Sequence, residues 1–208
     1  MTDINDTFRL AAGAFVDAVA GVGDDDWDKP GLGEWDVRSL VGHTTRALMT
    51  IETYLAAGTR PLDLTGPVDY YLAMLGYASD TERRAALNAA VAERGRQAGA
   101  ELGSAPARHV AEIARRLVAL VNSTPADAPV TTSAGTMTLR AYLPTRILEL
   151  TVHTLDLHRA VHTEPSAQLG PAIELTWGLL GRIASRQGLL ADLVLAITGR
   201  PLPLPLLP

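Results

Sequence analysis

The chain has 208 residues, 47% of them hydrophobic, 20% charged and 5% aromatic. This composition suits one compact core built mainly from Ala, Leu and Val, and excludes disordered and collagen-like classes. It contains no cysteine, which removes disulfides, cysteine-ligated zinc, iron–sulfur clusters and an intrinsic thiol nucleophile. A net charge of −5, with an isoelectric point near 5.5, offers no overall attraction to nucleic acid or an anionic membrane, so neither partner is expected.

Along the chain, Ile4, Phe8, Ala11, Phe15, Val19 and Val22 alternate in steps of four and three, the apolar stripe of an amphipathic helix that ends at Gly21-Val-Gly. The acidic run Asp24-Asp-Asp and Lys29-Pro-Gly-Leu-Gly predict a solvated loop. Asp36 caps a second helix with Val37, Leu40, Val41, Leu48, Ile51 and Leu55 in its stripe, ending near Gly58. Residues 59–69, with two Pro and a Gly, read as loop, and Ser79 with Glu82 reads as a capping box opening an Ala- and Arg-rich helix over about 80–102. Another helix is predicted over about 107–122, followed by a connector at Pro125–Pro129.

Val130-Thr-Thr and Thr136-Met-Thr-Leu predict a small hairpin, with Gly135 supplying the positive φ of its turn. A helix follows over about 140–161, its start ambiguous because Pro144 suits only a first turn. One more helix is expected over about 168–187, then a strand over Leu189–Ile197, and a Pro–Leu tail after Arg200 that continues no helix. The expectation is a mainly α, four-helix bundle with minor β structure. Residues 1–165 form the bundle, and 166–208 a C-terminal helix and strand packed on it as one domain. The Leu189–Gly199 run is interrupted by Asp192 and falls short of the ~20 apolar residues that cross a bilayer. The acidic start, Met1-Thr-Asp-Ile-Asn-Asp, is unlike a signal peptide, so a cytoplasmic protein is expected. Arginine outnumbers lysine 17 to 1 beside 32 alanines, a bias towards GC-rich codons that suggests a high-GC bacterial source.

The helix over 140–161 carries the chemistry. At ~100° per residue, with Glu149 at zero, His153 lies near ~40°, Asp156 near ~−20° and Tyr142 near ~20°, between apolar flanks formed by Leu150 and Leu157 and by Leu148 and Val152. A polar strip between two apolar flanks points into a bundle interior, where unpaired burial is costly and a metal ion would compensate it. Glu149 and His153, four residues apart, can ligate one ion. His158 and His162 face away and read as a solvated pair near the helix C-terminus, and His109 reads as surface. His43, on the shoulder of its helix's apolar stripe, is either a satisfied structural histidine or a third ligand completing a two-histidine, one-carboxylate set. Trp27, Trp35 and Trp177 read as core rather than pocket residues.

Trp35-Asp-Val-Arg-Ser-Leu-Val-Gly-His43, preceded by Pro30-Gly-Leu-Gly, resembles the helix-2 signature of the mycothiol-dependent maleylpyruvate isomerase family in the DinB-like superfamily. Glu149-Leu-Thr-Val-His153-Thr-Leu-Asp156-Leu-His-Arg-Ala resembles that family's second motif. The resemblance spans roughly residues 5–165 and implies a DinB-like four-helix bundle holding a divalent metal, usually zinc, at His43, Glu149 and His153. Asp156 would orient a ligand or the substrate. It further implies mycothiol as the thiol partner and actinobacteria as the source. Longer members add a separate C-terminal domain that contributes a basic residue to isomerisation. A short member is therefore expected to act on some other small electrophile, by thiol transfer or thiol-assisted isomerisation. Arg83, Arg84 and Arg146 are available for substrate carboxylates, in a pocket expected from loops 59–79 and the C-terminal segment. A hydrolase using metal-bound water, and a non-catalytic metal-binding or regulatory protein, are the alternatives. A monomer or a homodimer is compatible with the Ala-rich helices.

Overall fold

The computed structural model describes residues 3–58, 60–77 and 81–200. Helix α1 (Ile4–Ala20) begins where the Asp3 carboxylate accepts a hydrogen bond from Asn5 N at 3.3 Å. The acidic loop after it is more ordered than expected: a short antiparallel ladder of β1 (Pro30–Leu32) and β2 (Trp35–Asp36) sets Trp35 in place. Asp36 then caps α2 (Val37–Leu55), accepting from Ser39 N at 2.7 Å.

The segment read as a loop instead contains α3 (Pro67–Tyr77), with Pro67 opening it as Pro can at a helix start. Helix α4 (Thr81–Glu101) follows; the capping role assigned to Ser79 lies outside the described residues. Helix α5 (Pro106–Ser123) leads to the expected hairpin of β3 (Pro129–Thr131) and β4 (Thr136–Thr138), with Gly135 at φ 144° in its turn. Thr138 caps α6 (Leu139–Ala160), accepting from Ala141 N at 3.3 Å. This early start puts Pro144 in the second turn, where its missing N–H leaves the Arg140 carbonyl without its helical donor. Arg140 is exposed, so water can serve instead.

Helix α7 (Gly170–Arg186) matches expectation, but the predicted C-terminal strand is helix α8 (Leu190–Ile197). Leu and Ala favour helix, and among the described residues the strands pair only with each other, β1 with β2 and β3 with β4, while this segment packs on α7. Not every large apolar residue of α7 is buried: Ile173 is 40% and Trp177 51% exposed, so Trp177 is not the core residue expected of it.

Helices α1, α2, α5 and α6 form the bundle, with α1 and α2 each packed against both α5 and α6. Phe8, Phe15, Leu40, Ile51, Leu117 and Ile147 fill the space between them. Leu169, Ala172, Leu179 and Ile183 extend the same buried cluster, so α7 shares one core with the bundle. Helix α4 lies along α2 at very short range. A Cβ on Gly42 would come within 2.6 Å of the Ala98 and Gly99 backbone, and one on Gly95 within 2.8 Å of the Trp35 indole. No described helix is long and apolar enough to cross a membrane.

Gly42→Ala should therefore lower stability in chemical denaturation by about 1–3 kcal/mol, since both backbones must move apart. Gly181→Ala, where a Cβ meets nothing within 4 Å, should instead raise it by up to about 1 kcal/mol.

Candidate metal centre

Helix α6 is enclosed on most sides: Tyr142, Leu143, Arg146, Ile147, Leu150 and Leu157 are all buried. Charged groups on such a helix must find partners within the protein. Glu149 does so with both oxygens. Its Oε1 accepts from the Tyr71 hydroxyl on α3 at 3.1 Å, and its Oε2 lies 3.6 Å from His153 Nε2 one turn on. The Tyr71 hydroxyl also lies 3.2 Å from the Thr145 carbonyl. On its other side, His153 Nδ1 is 3.1 Å from Asp156 Oδ2. With Nδ1 engaged by a carboxylate, Nε2 is the nitrogen that faces Glu149.

His43 arrives from α2. Its ring centroid is 4.9 Å from that of His153, edge to face at 85°, and 4.4 Å from the Trp35 ring. Trp35 is anchored in turn, its Nε1 donating to the Ala92 carbonyl of α4 at 2.9 Å. One ligand atom from each of His43, Glu149 and His153 lies within 4.8 Å of the others, so these three side chains could hold a metal ion between them. All three are partly exposed, and all three face a pocket of about 520 Å³.

The charges of the three are set by one another. Burial, reinforced by the His153 charge, pushes the His43 pKa down to about 4, so this imidazole is neutral at pH 7. Burial acts on His153 in the same direction, but hydrogen bonds to Asp156 and Glu149 override it and hold the pKa at about 9. Burial would raise the Glu149 carboxyl, yet the His153 hydrogen bond and the Arg146 charge keep it down at about 2. Burial and the Glu149 charge together raise the Tyr71 phenol well above its ordinary value, which keeps it a donor.

The pocket matches the expected one in part. The segment 59–79 does line it, through Tyr70, Tyr71, Met74 and Leu75 of α3, but Val91 and Arg94 of α4 line it as well, and no described residue of the C-terminal segment does. Trp35 lines it, contrary to a core reading, whereas Trp27 is buried in the core. Of the arginines singled out, Arg146 faces the pocket; Arg83 and Arg84 sit on the exposed side of α4. His109 is exposed on α5. His158 Nδ1 meets Thr163 Oγ1 at 2.8 Å, and His162 lies past the helix end at φ 55°, so the two do not share a helical face. They border a separate groove of about 770 Å³ that reaches Asp156 but none of the three converging residues. Sequence reasoning missed Tyr70, Tyr71, Arg46 and Arg94. The signal for the tyrosines was Pro67 followed by Tyr70, Tyr71, Met74 and Leu75 at helical spacing.

With this geometry in place, the comparison with known families is direct. A family model described as the mycothiol maleylpyruvate isomerase N-terminal domain matches residues 8–158. The chain belongs to this family. The match contains all of α2 and α5, most of α1 and α6, and every residue of the converging set. No curated protein and no solved structure gave a significant match.

In the metal-free protein, NMR titration of the histidine rings should show His153 charged up to about pH 9 and His43 neutral down to about pH 4. His153 then contributes stability that is fully present below its unfolded pKa of about 6.5 and is lost as pH rises through about 9. His43 acts oppositely: the unfolded chain takes up its proton first, so stability declines as pH falls from about 6.5 towards 4. Asp156→Asn should lower the His153 midpoint.

Proposed function

We propose that this family member is a divalent-metal enzyme, with zinc the first choice, held by His43, Glu149 and His153. It uses a low-molecular-weight thiol, mycothiol, to transfer sulfur to, or to isomerise, a small electrophilic substrate in the cytoplasm of a high-GC bacterium. The observation that carries the reading is the convergence of two imidazoles and a carboxylate, from two helices, on the wall of a pocket large enough for small reactants. The donor set suits a divalent ion: three protein ligands leave coordination positions open, the pattern of catalytic rather than structural sites. One imidazole is already neutral, and the carboxylate is already ionised. The family match supports the thiol.

When bound, the ion supplies a Lewis acid that keeps a coordinating thiol deprotonated at neutral pH, where a free thiol of pKa near 8.5 is only a few per cent ionised. The remaining work falls to the chain. Asp156 holds His153 in the tautomer that turns Nε2 inward, and Tyr71 fixes the rotation of Glu149 by occupying Oε1. Trp35 covers one face of His43 and ties its position to α4. Met74, Leu75 and Val91 give the pocket apolar walls that limit water around the reacting sulfur. Since the chain has no cysteine, the sulfur must come from a soluble molecule.

Metal analysis of the purified protein should find about one divalent ion per chain, and His153→Ala should lose it together with thiol conjugation. Full metal stoichiometry in that variant would overturn the ligand set. Turnover that survives complete removal of low-molecular-weight thiols would instead assign the nucleophile to water. Tyr71→Phe should keep the fold but weaken metal binding by roughly tenfold to a hundredfold, measured by competition with a chromophoric chelator.

A further inference from the structure

Arg146 is a buried cation, 7% exposed, whose hydrogen-bond partners among the described residues are all neutral, with the Glu149 charge acting on it only from beyond 4.0 Å. Its Nε donates to Thr145 Oγ1 at 3.0 Å and its Nη1 to Thr50 Oγ1 at 3.4 Å. The Tyr70 hydroxyl is a further hydrogen-bond partner. The guanidinium carbon lies 4.8 Å from the Tyr142 ring centroid and 5.9 Å from that of Tyr70. These hydroxyls leave part of a five-donor group unused. Among the described residues no carboxylate comes within 4.0 Å of Arg146. Hydroxyls and aromatic faces offset only part of the cost of desolvating a full charge.

The missing counter-charge has a place to sit. Arg146 lines the same pocket of about 520 Å³ as His43, Glu149 and His153, and Arg46 and Arg94 line it too, likewise without an ion pair to any described residue. Among the described lining residues the only carboxylate belongs to Glu149, whose oxygens are already engaged by Tyr71 and His153. A basic pocket inside a chain of net charge −5 is a local arrangement rather than an average of composition.

We propose that Arg146 forms an anion subsite of this pocket that takes the carboxylate of a short-chain substrate, with Arg46 and Arg94 attracting it from the walls. The planar guanidinium, fixed against two tyrosines, presents its fork to a carboxylate in the way a flexible ammonium does not. Arg146 and His153 project from one face of α6 about two turns apart, roughly 10 Å along its axis, so only a few carbons separate the carboxylate from the atom that meets the thiol. In naming the substrate class the assignment rests on the metal–thiol reading above, but the carboxylate can reach Arg146 from the electrophile or from the thiol.

The test has two arms on the full chain. In the metal-free protein, butyrate and hexanoate should move the NMR resonance of one arginine Nε–H, the one lost in Arg146→Lys, while butanol and hexanol leave it in place. If no carboxylate moves it, the subsite is overturned. In the cobalt-loaded protein, 6-mercaptohexanoate should give its sulfur-to-cobalt absorption band at a concentration about tenfold to a hundredfold lower than 6-mercaptohexanol. Arg146→Lys should shrink that preference and Arg146→Gln abolish it. Equal half-saturation by acid and alcohol in the wild type also overturns the subsite. If no thiol gives a band, the metal–thiol reading fails, and the metal-free arm still decides the fate of Arg146. Hexanoate added to the 2-mercaptoethanol complex distinguishes the two sources: a retained band puts the carboxylate on the electrophile, a displaced one puts it on the thiol, and the subsite stands with either result.

Discussion

A carboxylate, an imidazole and a guanidinium on one side of a buried helix have to be compensated from outside that helix, because low dielectric magnifies every unpaired charge. Helix α6 carries Arg146, Glu149 and His153 in this position, and the surrounding elements are placed to answer them. Helix α3 contributes the Tyr71 hydroxyl to Glu149 and the Tyr70 ring to Arg146. Helix α2 contributes His43 to the face of His153 and Thr50 to Arg146. The polar strip thereby dictates which neighbours α6 can have, while the leucines on its flanks supply the apolar burial that keeps it central.

The same constraint reaches the α2–α4 contact. His43 follows Gly42, and Gly42 is where α2 and α4 approach most closely, against Ala98 and Gly99. One turn before Gly99, Gly95 makes room for the Trp35 indole, which bonds to Ala92 and stacks on His43. The residues that bring two backbones together thus also decide how far His43 stands from α6 and which way its ring faces. A side chain at Gly42 would not touch the site, yet it would displace the imidazole by moving the helix beneath it. Packing and site geometry are linked here through backbone contact, which explains why small residues sit beside a candidate ligand.

Much of this was readable before any coordinates. The apolar stripes of the first and second helices, the Asp36 cap and the hairpin around Gly135 are local signals, and they appear where expected. The polar strip on α6 was legible for the same reason, since a helical wheel needs only the sequence. What failed was non-local. Tyr70 and Tyr71 were hidden because Pro and Gly around 61–67 looked like an extended loop, although Pro67 was opening a helix. The Leu189–Ile197 run was ambiguous between strand and helix, as short apolar runs are, and only the absence of a partner strand decides it. Arg46 and Arg94 carried no signal, because a surface arginine and a pocket arginine look alike until the helices are packed.

His43 and His153 begin from the same reference pKa and end on opposite sides of neutrality, although their rings are in contact. Burial lowers both; the difference is that His153 has a carboxylate on each nitrogen side, Asp156 and Glu149, whereas His43 has Trp35 on one face and the His153 charge on the other. Only one of the two can therefore be charged at neutral pH, and its proton is the one that a metal ion held by these residues would displace. Under the proposed metal reading, loading the site would release that one proton and raise the charge of the pocket by about one unit. Arg146 lines the same pocket with no carboxylate within 4.0 Å among the described residues, so under that reading the loaded pocket would favour a negatively charged ligand more strongly than the empty one.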